Sequence, residues 1–266
     1  MLWSYGVTTV PDRLGGSLPR TLESLARGGF DRPHLFVDGA ECGCEWRSRF
    51  GLDVTARWPR VRTAGNWVLA LVELYCRRPD ADRYAVFQDD LVCSRNLRPY
   101  LERTPYPECG YLNLYTFPQN TPRGLRERHQ YYHGMPPPPA DSYVGFYQSN
   151  QKGKGALALV FNHATARTLA SQPHLLGRFW TRYRDRLANP AKYPKADHEH
   201  RAIDGGVVEA LRAAGVREYV HNPSLVYHTG NESTIGNSHL GRSVFPPTPT
   251  FRGEAFDLLS LTPEHA

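Results

Sequence analysis

A chain of 266 residues with 40% hydrophobic, 12% aromatic and 22% charged residues can bury a sizeable core, which excludes a wholly disordered protein. The 32 Lys+Arg against 26 Asp+Glu leave a formal charge of +6, a mild lean towards anionic partners that by itself identifies neither a nucleotide nor a nucleic acid. No run approaches the ~18 apolar residues of a membrane span, and MLWSYGVTTVPDR lacks the basic-then-apolar order of a secretory signal, so no membrane span and a cytoplasmic location are expected.

In chain order, Leu2 to Val10 reads as a buried strand, and a helix is predicted from Ser17 to Arg27, closed by Gly28-Gly29. His34 to Asp38 is a second strand ending on a carboxylate. A helical pattern runs from Asn66 to Cys76, and the strand Tyr84 to Phe87 ends on Gln88-Asp89-Asp90. Pro136 to Pro139 read as a rigid loop, because structured patterns continue on both sides. Gly155 to Phe161 is a further strand, with helices predicted over Ala164 to Ser171 and Gly206 to Ala214. Strands alternating with helices imply βαβ units and a mostly parallel sheet flanked by helices. One α/β domain over 1–240 is expected, with 241–266 as an extended surface tail. In such sheets ligands sit beyond the carboxyl ends of the strands, where Thr8-Thr9, Asp38 and Asp89-Asp90 fall.

Three segments can carry chemistry. In Val86-Phe87-Gln88-Asp89-Asp90-Leu91-Val92, two carboxylates end a buried apolar strand, a costly arrangement unless something compensates them. A hard divalent cation does so, since Mg²⁺ or Mn²⁺ takes one or two carboxylates together with phosphate oxygens; alternatively, one of the pair caps a helix beginning near Ser94. In Asn222 to Thr234 an apolar strand delivers His228 into a Gly/Ser/Thr loop, where a metal and a phosphate can meet the imidazole, although a lone histidine there is more often structural. In Arg201 to Leu211, Asp204 heads an amphipathic helix, either as an N-cap or as a carboxylate that takes a proton from an attacking hydroxyl.

Together these segments resemble the metal-dependent GT-A glycosyltransferases, and most closely the catalytic domain of the N-acetylglucosaminyltransferase IV type. The resemblance rests on Gln88-Asp89-Asp90 after an apolar strand, on Pro223 to Thr234, and on Ile203-Asp204 opening a late helix; Gly6 to Arg13 and Asn66 also fit. It implies that Asp90 and His228 hold Mn²⁺ or Mg²⁺, and that Thr8, Thr9, Arg13 and Asp38 face the nucleoside. It further implies that Asn66 and Asp89 lie at the donor and that Asp204 is the base. Gln88 stands where the family usually has an acid, which removes one charge from the triplet.

Other segments are weaker. The five cysteines are odd in number and lack framework spacing, as fits a reducing compartment, and Cys42-Gly-Cys44 has no second Cys/His pair at zinc spacing. Asp197-His-Glu-His200 is not a metalloprotease motif, and Gly153-Lys154-Gly155 lacks the context of a phosphate-binding loop. Basic and aromatic residues interleave over 178–186 and 126–132, a mix that suits stacking on bases or on sugars and equally an ordinary amphipathic helix. The expected function is an inverting transfer from a nucleotide sugar, such as a UDP-sugar, to an acceptor hydroxyl. Two alternatives stay open: glycosylation of hydroxylated (5-hydroxymethyl) bases in DNA, and a non-catalytic nucleotide- or carbohydrate-binding module.

Overall fold

The computed structural model describes residues 1–128, 135–172, 203–230 and 248–262. Its strands are β1 (Trp3–Thr9), β2 (His34–Asp38), β3 (Val54–Arg57), β4 (Arg83–Gln88), β5 (Leu91–Cys93), β6 (Gly110–Asn113), β7 (Gly145–Gln148), β8 (Ala158–Asn162), β9 (Arg217–Asn222) and β10 (Val226–His228). Its helices are α1 (Ser17–Arg27), α2 (Cys44–Phe50), α3 (Arg62–Arg77), α4 (Leu97–Arg103), α5 (Pro122–Arg128), α6 (His163–Ala170) and α7 (Ile203–Ala213).

Eight strands form one sheet in the order β3-β2-β1-β4-β8-β6-β9-β7, and β5 pairs with β10 in a second, two-stranded sheet. The β3-β2-β1-β4 block is parallel, as is β6 with β9, while β8 and β7 run against their neighbours. Thr8 lies between Phe36 and Gln88 in register, so the carboxyl ends of β2, β1 and β4 open on the same edge. The chain order reverses between β1 and β4, the kind of crevice where open α/β sheets take their ligands. A mixed α/β fold with a large, mainly parallel sheet is what the alternating pattern predicts.

The central strands are buried on both faces and so read as near-continuous apolar runs. One face is covered by α1, α2 and α4 through Leu18, Leu25, Trp46, Leu97 and Leu101. The other is covered by α3, α6 and α7 through Trp67, Leu71, Ala166, Val207 and Leu211. Small polar residues on the inner side of α1 serve a different purpose. Thr21 Oγ1 donates to the Asp89 or Leu91 carbonyl and accepts the Leu91 N–H, and Ser24 Oγ accepts the Cys93 N–H. These bonds clip β5, and with it the turn carrying Asp89 and Asp90, onto α1.

Several boundaries differ from expectation. Helix α3 starts at Arg62, four residues before Asn66, because the Asp38 carboxylate accepts the Val61 and Arg62 N–H groups at 2.7 and 3.0 Å and fixes its first turn. Helix α7 starts at Ile203, which puts Asp204 inside the first turn and not at the N-cap. Ser94 caps no helix; its Oγ donates to the Gly253 carbonyl, and Asn96 precedes α4. Within the expected surface tail, the described residues 248–262 are tied to the domain: Glu254 pairs with Arg20 and Arg27, Asp257 with Arg95, and Leu258 is fully buried. Cys42 and Cys44 are joined to each other, a pairing that the spacing did not suggest. Among the described residues no helix is long and apolar enough to cross a membrane.

Asp38 therefore has a structural task, and an expected result follows from it. Asp38→Ala removes two charge-assisted bonds to backbone N–H groups, each worth about 1.5–3 kcal/mol. Because water re-solvates part of that end, a loss of roughly 2 kcal/mol is expected in urea unfolding. Undiminished stability would show that α3 does not depend on this carboxylate.

Candidate active site at the carboxyl edge of the sheet

The turn between β4 and β5 is two residues long, and its carboxylates point different ways. Asp89 faces inward and accepts the Thr9 hydroxyl at 2.5 Å. Burial, reinforced by the neighbouring charge of Asp90, pushes the Asp89 carboxyl up to about 7. Thr8 donates its hydroxyl to the Phe87 carbonyl at 3.2 Å, so the end of β1 is tied to β4 by both threonines.

Asp90 faces the other way, towards β10. The antiparallel β5–β10 ladder pairs His228 with Leu91, and Thr229 donates its N–H to the Asp90 carbonyl at 2.8 Å. This register brings His228 Nε2 to 3.3 Å from Asp90 Oδ2, and an Arg13 guanidinium nitrogen to 3.8 Å from the same oxygen. Asp90 Oδ1 is buried and accepts no hydrogen bond among the described residues. Such an oxygen costs about 1–3 kcal/mol unless something meets it. Gly230 closes over the pair: a Cβ there would lie 2.8 Å from His228 Cε1 and 2.9 Å from Asp90 Oδ2. The turn into β10 is itself fixed from below, where His221 Nδ1 donates to the Pro223 carbonyl at 2.6 Å, which leaves Nε2 to accept the Tyr100 hydroxyl at 2.7 Å. Burial holds His221 down to about 4, so it stays neutral in that pose.

Asp204 lies across the edge from this turn. Its Oδ2 accepts the Gly155 N–H at 2.9 Å, and loss of water around the carboxyl raises its pKa while that N–H opposes the rise. The loop carrying Gly155 also touches the acidic turn, because Gln88 Nε2 donates to the Ala156 carbonyl at 2.8 Å. Gln88, the departure from the resembling family, thus joins the Asp89-Asp90 turn to the loop that holds Asp204.

Not every predicted residue joins the group. Thr9, Arg13, Asp89, Asp90 and His228 gather at the β1–β4 crevice, and Asp204 is linked to it only by way of the loop, bonded to Asp204 at Gly155 and to Gln88 at Ala156. Asn66 is buried among protein groups instead: its Oδ1 accepts Arg57 Nε at 2.9 Å and its Nδ2 donates to the Phe36 carbonyl at 2.8 Å. Asp38 is engaged at the start of α3. The basic stretch at 126–132 is described only to residue 128, where Arg126 is spent on Asp141 and the Pro139 carbonyl. The 178–186 stretch, Asp197 to His200 and residues 231–234 lie outside the described residues. Glu218 and Gly230 were missed. Glu218 hides in a strand pattern that carries no motif, whereas Gly230, two residues beyond His228, was visible as a turn glycine without a stated reason.

No family model matches this chain, and no curated protein matches it. Among solved structures, galactosyltransferase LgtC in complex with donor and acceptor sugar analogs is similar at 13% identity and a TM-score of 0.42, over 91% of this chain and 97% of that one. Mouse xyloside xylosyltransferase 1, apo form, is similar at 14% identity and a TM-score of 0.37, over 79% and 84%. Mannose-1-phosphate geranyltransferase from Thermus thermophilus is similar at 14% identity and a TM-score of 0.42, over 83% and 74%. These are distant likenesses of chain path.

Gly230 offers a compact test of the site. Gly230→Ala is expected to weaken divalent-dependent UDP binding about 10-fold or more, the scale seen when groups that set a metal ligand's orientation are disturbed. Calorimetry with UDP and Mn²⁺ checks it, alongside a melting curve that should move by only a few degrees. Wild-type affinity in this variant would mean that the Asp90–His228 pair tolerates the added methyl group and need not meet a ligand.

Proposed function

We propose that this chain is a metal-dependent glycosyltransferase of the GT-A type, moving a sugar from a nucleotide sugar, such as a UDP-sugar, to an acceptor hydroxyl with inversion. The observation that carries the reading is the buried, unmatched Asp90 Oδ1 beside His228, under a glycine that leaves room for no side chain. One carboxylate and one imidazole fit Mn²⁺ or Mg²⁺, which complete their shells with phosphate and water oxygens. Among the described residues no three His, Cys, Asp or Glu side chains converge for a metal. When bound, such an ion supplies Lewis-acid neutralisation of charge on the departing diphosphate.

The chain's own residues account for the remaining work. Arg13 adds a positive charge beside Asp90, at the crevice where the diphosphate would lie. Thr9 and Asp89 brace the floor of that crevice. Asp204, held by the Gly155 N–H and partly stripped of water, is suited to accept the proton of an acceptor hydroxyl as it attacks the anomeric carbon. A single displacement from the face opposite the leaving group inverts that centre.

A screen of nucleotide sugars with Mn²⁺, scored by release of nucleoside diphosphate, tests the proposal. Turnover of at least one donor, lost on chelation, is the expected result. Intact nucleotide binding with no turnover of any donor would point instead to a binding module. The net charge of +6 keeps a DNA acceptor as the second reading, and a steep fall of acceptor binding with salt distinguishes it from a neutral glycan.

A further inference from the structure

Behind the 149–156 loop lies a carboxylate held by neutral donors. Glu218, on β9, is buried among them: Ser149 Oγ at 2.5 Å on Oε2, and Asn113 Nδ2 and the Tyr111 hydroxyl, both at 3.1 Å, on Oε1. The bonding around it leaves these partners little choice. Ser149 Oγ already receives the Gln151 N–H at 3.0 Å and one Gln151 Nε2 hydrogen at 3.3 Å, so its own hydrogen goes to Glu218. Asn113 Oδ1 accepts the Tyr115 N–H, which turns its amide nitrogen towards Glu218 and the Lys154 carbonyl. Glu218 is thus set up as an acceptor; burial raises its carboxyl above the ordinary range, and the hydrogen bonds from Ser149, Asn113 and Tyr111 pull against that rise.

The main chain of Glu218 holds the loop as well. The Glu218 N–H donates to Gln151 Oε1 at 2.9 Å, and Gln151 Nε2 donates to the Glu218 carbonyl at 2.8 Å. Gln151 sits at positive φ, a conformation that a non-glycine residue keeps only when its surroundings impose it, while Gly153 and Gly155 take positive φ without that cost. Tyr115 fills the space beside Gly155, and a Cβ on Gly153 would lie 2.5 Å from the Asp204 carbonyl oxygen.

We infer that Glu218 is a positioning residue for the reaction: it holds the Ser149–Gly155 turn, and through the Gly155 N–H it fixes where the Asp204 carboxylate points. The inference rests on the reading of Asp204 as the base. Asp204 is faced by Lys154 from the loop, Glu218 from β9 and Tyr111 from β6, while α3 and α6 meet α7 through apolar side chains. Glu218→Gln therefore changes a charge facing Asp204 as well as the acceptor that holds the loop, and amide exchange reads the loop separately.

The test is Glu218→Gln, whose amide would place N–H groups against donors. Two readouts are needed, amide exchange over 149–156 and the split between turnover and binding. Exchange of the Gln151 and Gly155 amides should rise about 10-fold or more, the response of a locally loosened segment. Turnover of UDP-glucose or UDP-N-acetylglucosamine should fall about 10-fold while the affinity for UDP with Mn²⁺ is unchanged, the pattern of a lost transition-state contact. Ser149→Ala removes one donor to Glu218 but also the acceptor of the Gln151 N–H, so it is read at the Gly155 amide, where exchange should rise more weakly along with a smaller loss of turnover, and it serves if the Gln variant does not fold. Unchanged exchange at Gly155 overturns the inference, and so does loosened exchange with native turnover in a chain whose Asp204→Asn variant is inactive. If Asp204→Asn keeps native turnover, the base assignment fails on its own, and the exchange experiment still decides whether Glu218 holds the loop.

Discussion

Asp204→Asn should lower turnover about 10²-fold or more, the usual range for a lost acid–base group, with melting temperature and UDP affinity nearly unchanged. Asn has the same shape and its Oδ1 can still accept the Gly155 N–H, so the loop keeps its anchor. Loss of a charge in the first turn of α7 costs only about 0.3–1 kcal/mol of helix-dipole stabilisation. Relief from burying a carboxylate offsets part of that. The pH profile carries the sign. A base must be ionised to act, and burial raises the pKa of Asp204, so kcat/KM should climb with pH through a midpoint above the ordinary carboxylate range. Stability runs the opposite way: a raised folded pKa favours the protonated native state at low pH, and that contribution is lost as pH rises through it. The Asn variant should lack both dependences. Rate–pH profiles and melts at several pH values check this, and near-native turnover with Asn at 204 removes Asp204 from the chemistry. A product with retained anomeric configuration would sink the single displacement itself.

Asp90→Ala and His228→Ala are each expected to reduce divalent-dependent UDP binding by about 10²-fold or more, since each would delete one of the two protein ligands in the proposed site, whose remaining shell would be mostly phosphate and water. The comparison that matters is UDP affinity with and without Mn²⁺. Both variants should bind UDP in chelator as the wild type does, because the cation alone has lost its hold. The fold should survive, because the β5–β10 ladder and the Thr229 N–H bond to the Asp90 carbonyl are made by the main chain and need neither side chain. Equal Mn²⁺ enhancement in wild type and variants would exclude both residues from the shell.

The left half of the sheet was legible because parallel strands buried on both faces write themselves as apolar runs, and because Asp38 and Asp89-Asp90 punctuate their ends. The strands β5 and β10 were not separable in the sequence: each is three residues long, too short for a period to show. What Asp38 and Asn66 do could not be read either, since both stand at the right edge with the right chemistry. Only the positions of the Val61 and Arg62 N–H groups and of Arg57 assign them to the scaffold. Glu218 was hidden for a related reason. A glutamate in Arg217-Glu-Tyr-Val-His-Asn222 looks like the wet face of an edge strand, but β7 continues the sheet beyond β9 and encloses it.

The pairing of β5 with β10 also bears on synthesis. Asp90 comes from the first half of the chain and His228 from close to its end, and they meet only when Val226–His228 docks on Leu91–Cys93. A nascent chain emerging from the ribosome can assemble the β3-β2-β1-β4 block early from near neighbours in sequence, whereas the His228–Asp90 contact must wait for a late, long-range closure. Until then the Asp90 carboxylate stands at the end of β4 with no imidazole beside it.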